Sequence, residues 1–104
     1  MRITVTARHC TIPPRLRDRA RELMHRLSRI AARPHDGRVV FTADHGARAV
    51  EVQLHTARGR VHVARAEARD HHTALDRATA RVRRQLDKRS LGARPRRPAR
   101  RVRP

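Results

Sequence analysis

From Arg2 to Ala7 apolar and polar residues alternate, with Ile3, Val5 and Ala7 on one face, which predicts a β-strand. The period then changes. After Pro13-Pro14, the residues Leu16, Ala20, Leu23, Met24, Leu27, Ile30 and Ala31 recur at spacings of three and four, the stripe of an amphipathic helix. Proline is tolerated in a first helical turn because that N–H has no intrahelical partner. Arg33-Pro34-His35-Asp36-Gly37 ends the helix, and three strand-like runs follow: Arg38–Ala43, Ala47–Thr56 and Arg60–Ala68. The separators Asp44-His45-Gly46 and Ala57-Arg58-Gly59 each supply a glycine for a turn. In Ala47–Thr56 the alternation is clearest, Val50, Val52 and Leu54 inward and Glu51, Gln53 and His55 outward. In Arg60–Ala68 either Val61 and Val63 or His62, Ala64, Ala66 and Ala68 face inward. The small residues are favoured, since they let a helix approach closely. A second helix is expected from an Asp70 N-cap to about Arg89, burying Leu75, Ala78, Val82 and Leu86, with Gly92 as its stop.

The predicted order is β-α-β-β-β-α, an α+β fold. Each helix carries one apolar stripe, so both are expected to pack on one face of a four-stranded antiparallel sheet. The chain divides into a folded body, 1–92, and a tail, 93–104, with six Arg, three Pro and almost nothing to bury, expected to be disordered. No run approaches the roughly 18 apolar residues of a membrane span, and the alternating N-terminus is unlike a secretory signal. A cytoplasmic protein is expected.

Charge changes the picture most. The 104 residues hold 27 Lys and Arg, only nine Asp and Glu, and a formal charge of +18. Six of those cations lie in the tail, which leaves 21 against nine, or +12, in the body. Such a chain needs a polyanion, and nucleic acid is the obvious one; the same repulsion disfavours self-association and predicts a monomer when free. Only one of the 27 is lysine, Lys88, so arginine identity carries less information than net charge.

On the second helix Arg77, Arg81, Arg84 and Lys88 form one stripe, while Asp76 and Asp87 lie on the opposite flank near Arg83. Like charges at i,i+4 cost a few tenths of a kcal/mol each, so the stripe points to a ligand. On the first helix Arg15, Arg19, Arg26 and Arg33 share a flank with Glu22, and Arg17 and Arg21 share the other with Asp18. Arg19 and Arg26 are the candidates there. If both cationic flanks face a common groove, it would be a strip of guanidinium groups for phosphates. Phe41 is the single aromatic and is expected in the core, so base stacking is excluded as the main binding mode and backbone and shape of folded RNA remain.

The same residues carry a family likeness. Ile3-Thr4-Val5-Thr6-Ala7-Arg8-His9 with Pro14-Arg15-Leu16-Arg17-Asp18 resembles the opening of the bacterial hibernation-promoting factors and ribosome-associated translation inhibitors. Asp70-His71-His72-Thr73-Ala74-Leu75-Asp76 with Arg84-Gln85-Leu86-Asp87-Lys88 resembles their closing helix. The likeness covers residues 1 to about 90. It implies a fold similar to a double-stranded-RNA-binding domain. It also implies a short-form factor on the small ribosomal subunit and its rRNA, blocking the decoding region where mRNA and tRNA lie. Carried over by position, Arg8, Arg77, Arg81, Arg84 and Lys88 are the implied RNA contacts. Two departures stand out: Pro13 replaces a Thr N-cap, and His71-His72 replaces a Met-Tyr pair, which would loosen packing at the helix entrance.

No chemistry competes with this reading. The eight histidines are scattered, no pair sits at i,i+4 on one helix, and no Cys or carboxylate cluster completes a metal shell. His71-His72 is expected as exposed helix-entrance surface, His62 as a half-buried strand residue, and Cys10 as a small buried or edge residue. Phosphate-binding and dinucleotide fingerprints and a nucleophile elbow are missing, so a non-enzyme without cofactor, metal or small-molecule substrate is expected. The alternative is a basic protein that binds or compacts nucleic acid without a specific site.

Overall fold

The computed structural model describes the backbone of residues 1–93 and the side chains of residues 1–88. Its elements follow the predicted order: β1 (Arg2–Arg8), α1 (Pro14–Ile30), β2 (Asp36–Asp44), β3 (Ala47–Thr56), β4 (Arg60–Ala68) and α2 (His71–Ala93). β3 and β4 have the predicted limits, while β2 is longer by Asp36-Gly37 and Asp44. α2 passes through Gly92 to Ala93, so that glycine does not stop it. The remainder of the Arg/Pro-rich tail lies outside the described residues.

The strands form one sheet in the order β1-β2-β3-β4. The sheet is mixed, not wholly antiparallel: β2, β3 and β4 pair antiparallel, but β1 pairs parallel with β2, Val5 opposite Val39. The cause is connectivity. α1 carries the chain back along the sheet, so β2 starts at the same end as β1, whereas the short links between later strands reverse direction. His45 and Gly46, with φ of 51° and 80°, make the two-residue turn from β2 to β3. Positive φ at both central residues gives a turn whose twist matches that of the strands.

Both helices lie on one face. The buried core joins Leu16, Ala20, Met24 and Leu27 of α1, Ala74, Leu75, Ala78, Val82 and Leu86 of α2, and Val39, Phe41, Val50, Val52 and Leu54 of the sheet. From β4 the inward residues are His62, Ala64 and Ala66, while Val61 and Val63 are 46 % and 42 % exposed on the opposite face. Met24 fills the space above Gly37, where a Cβ would come within 2.6 Å of its methyl group.

The helix entrances differ from each other. Pro13 gives α1 no side-chain cap, and its carbonyl accepts from the Leu16 and Arg17 amides at 3.0 and 3.3 Å. Asp70 caps α2 as predicted: its Oδ1 accepts from the Thr73 amide at 2.7 Å and its Oδ2 from the Thr73 hydroxyl at 3.0 Å. That backbone bond holds the Asp70 carboxyl below its ordinary value, helped by the hydroxyl. His71 corrects the expectation of an exposed pair. It is buried, its ring meets Phe41 edge-on with centroids 5.4 Å apart, and its Nε2–H donates to the Thr42 carbonyl at 2.7 Å. Only His72 is exposed. His71 therefore occupies an aromatic position in the core and ties α2 to β2. His62 too is buried rather than half-buried, and hydrogen-bonds with the Thr56 hydroxyl at 3.4 Å.

Candidate nucleic-acid interface

β1 and β4 are the sheet edges, and each exposes backbone groups that no strand pairs. Side chains from the overlying helices reach these edges. On β4, Arg77 Nη1 donates to the Glu67 carbonyl at 3.3 Å, Arg81 Nη1 to the Arg65 carbonyl, and Gln85 Nε2 to the Val63 carbonyl at 2.9 Å. The periods match: four residues of helix advance about 6.0 Å and two residues of strand about 6.8 Å. On β1, Arg17 Nη1 donates to the Val5 carbonyl at 2.9 Å. The small inward residues of β4, Ala64 and Ala66, face the α2 residues Ala74 and Ala78 in the same core. Alanines keep helix and strand close enough for these arginines to reach the edge.

This ladder explains half of the α2 stripe. Arg77 and Arg81 have backbone acceptors, whereas Arg84 and Lys88 are exposed and have no hydrogen-bond or ion-pair partner among the described residues. Each bonded guanidinium spends one of five N–H donors, so Arg77 and Arg81, also exposed, keep the others for a ligand. All four predicted residues thus occupy the flank of α2 beside β4, on the side away from α1. Gln85 belongs to the same row. Its signal was present in the spacing of residues 77, 81 and 85, but a neutral side chain does not register in a search for charge.

The first-helix candidates stand elsewhere. Arg19 Nη2 lies 3.5 Å from Asp76 of α2 and its Nη1 3.5 Å from Glu22, while Arg26 pairs with Glu22 at 3.5 Å. The Arg19 flank therefore faces α2 across the acidic side of that helix. The two cationic flanks do not share a groove: one meets carboxylates between the helices and the other runs along β4. Arg8 is exposed at the far end of β1, paired with Thr42, next to the entrance of α2. Asp76 also lies 3.5 Å from His72, and Arg83 lies 3.9 Å from Asp87, so that side of α2 is mixed in charge as predicted. Among the described residues no three His, Cys, Asp or Glu side chains gather to hold a metal, and no helix is long and apolar enough to cross a membrane.

A basic α+β layer, two helices over a mixed four-stranded sheet with a row of four exposed cations on the flank of α2 beside β4, defines the class. Residues 3–90 match the family model for the sigma 54 modulation protein / S30EA ribosomal protein, and the chain belongs to that family. Among solved structures the chain is similar to a ribosomal subunit interface protein from Coxiella burnetii, with a TM-score of 0.75 and 21 % identity over 86 % of this chain and 98 % of that one. It is also similar to the N-terminal domain of Protein Y from Thermus thermophilus, with a TM-score of 0.73 and 24 % identity over 85 % of this chain and 98 % of that one. At these identities the structural likeness establishes the fold. No curated protein matches the chain.

Proposed function

We propose that the protein is a ribosome hibernation factor: it binds the small subunit and blocks translation by occupying the decoding region, where mRNA and tRNA would lie. Binding is to rRNA phosphates and involves no chemistry. Its carrying observation is the α2 flank, which lies within the span that matches the ribosomal-protein family. There Arg84 and Lys88 stand exposed, with no hydrogen-bond or ion-pair partner among the described residues, beside Arg77 and Arg81, which the β4 carbonyls hold in place. Side chains ordered before binding lose less entropy on meeting a phosphate. Arg8 stands apart from this flank, on β1 at the opposite edge of the sheet, and its part in binding rests on the family likeness alone. Arg19 and Arg26 lie outside this flank, on the α1 side, and would reach phosphate only by exchanging Asp76 and Glu22 for it.

The name of the Coxiella burnetii neighbour, a ribosomal subunit interface protein, supports the ribosome as partner. Purified ribosomes sedimented with the protein in the presence of competitor RNA and DNA test the proposal. Near-stoichiometric retention on the small subunit, lost when mRNA and initiator tRNA are bound first, is the expected result. Retention that follows whatever polyanion is in excess would replace it with a coating protein of no fixed site, the reading that a charge of +18 favours on its own.

A further inference from the structure

At the end of the sheet away from Arg8, a cavity of about 840 Å³ opens between the segment after α1, the β3–β4 turn and the second half of α2. It is a cleft half open to solvent, and its volume falls in the roughly 300–1,000 Å³ range of small-molecule sites. Arg33, Arg58 and Arg60 line it together with the apolar side chains of Ile30 and Leu86, and no Asp or Glu does. None of the three arginines has a carboxylate partner among the described residues.

The backbone supplies an independent observation. Arg33 has φ 49°, and Arg58 has φ 65° with ψ 32°, a left-handed conformation that side chains other than Gly, Asn, Asp and His rarely adopt. Both loops are braced in it: the Ala57 amide donates to the Ala32 carbonyl at 3.2 Å, and His35 Nε2–H donates to the Thr56 carbonyl at 3.1 Å. Glycine would relieve the backbone at each position, yet an arginine stands at both and both line the same cavity. Unfavourable conformations held by their surroundings concentrate where a side chain is needed for binding.

We infer that this cavity is a nucleotide site, in which Arg33, Arg58 and Arg60 hold the phosphate while the exposed side chain of Ile30 offers an apolar wall to the base. The phosphate belongs either to a free mononucleotide or to a nucleotide of an RNA strand. α2 descends toward this end of the sheet, as its contacts from Glu67 to Val63 show, so a strand following the α2 flank arrives at the cavity.

The test is amide NMR of the full chain titrated with 5′-AMP, adenosine and a 5′-phosphorylated RNA tetranucleotide. AMP is expected to shift the amides around Arg33 and Arg58 saturably, and adenosine is expected to do so at least tenfold more weakly. The double substitution Arg33→Gly with Arg58→Gly keeps the fold, because glycine suits both conformations, and is expected to weaken AMP at least tenfold with an unchanged or raised Tm. AMP shifts that map to the α2 flank instead, or that survive the double substitution, overturn the site. A tetranucleotide at least tenfold tighter than AMP assigns the phosphate to RNA, and comparable or weaker binding assigns it to a free nucleotide. Arg84→Ala with Lys88→Ala leaves the AMP site intact, so failure here is distinguishable from failure of the ribosome reading.

Discussion

Two pairs of cations on one helix face are predicted to respond oppositely to alanine. Arg77 and Arg81 bond to the β4 edge, whereas Arg84 and Lys88 have no hydrogen-bond or ion-pair partner among the described residues. An intramolecular hydrogen bond contributes a net 0.5–1.5 kcal/mol, and the exposure of both guanidinium groups places each near about 0.5–1 kcal/mol. Relief of like-charge repulsion returns a few tenths. Arg77→Ala with Arg81→Ala should therefore cost about 0.5–1.5 kcal/mol, or roughly 2–12 °C in Tm for a domain of this size. Arg84→Ala with Lys88→Ala should stay within about 0.5 kcal/mol of the parent, as surface substitutions do. In ribosome binding the second pair has the clean effect: losing two phosphate contacts should lower the slope of log K against log salt by about 1.4–1.8. Thermal unfolding followed by circular dichroism, with filter binding at several salt concentrations, reads both quantities. Equal Tm values for the two double variants would refute the edge-closing role. An unchanged salt slope in the second variant would refute its place on the RNA.

Two further outcomes follow from α2's entrance. Because folding lowers the Asp70 carboxyl's pKa, its contribution is fully present above the ordinary value of 3.8 and is lost as pH falls through the lower folded value. Asp70→Ala should consequently lower Tm at pH 7, and its gap from the parent should close in scans taken below that range. His71→Ala should cost about 2–4 kcal/mol by emptying a core position and removing the donor to Thr42, with loss of the edge-on contact visible in the chemical shifts of the Phe41 ring protons.

Much of this fold was legible because its elements alternate or repeat without conflict. Ala64 and Ala66 turn inward and Val61 and Val63 outward for the reason the sequence suggested, close approach of a helix. The parallel sense of β1 is implicit in the order of elements, since a helix between two strands returns the chain to the end where the first began. His71 was not recognised, although it lies four residues before Leu75 and seven before Ala78, on the same apolar stripe. Residue type obscured the position. The candidate interface was legible as charge but not as geometry. Spacing places Arg77 and Arg81 on one flank, but only the packed sheet reveals that β4 carbonyls stand within their reach. Nor does any local pattern bring Arg33 and Arg58 to one cavity, since they are joined through the Ala57–Ala32 hydrogen bond between loops distant in sequence.

Closure of both sheet edges bears on crowding. In free solution a protein of charge +18 is kept from its own kind by repulsion alone. On RNA, where the proposed function places it, that protection would vanish, because phosphates would neutralise the charge and raise the local concentration together. Open edges would then be free to pair between copies. The Arg17 bond to Val5 and the Arg77, Arg81 and Gln85 bonds to β4 lie within each copy, so they persist where the repulsion has been cancelled. On the proposed reading, molecules crowded on a polyanion would thereby meet edges whose carbonyls are already in use.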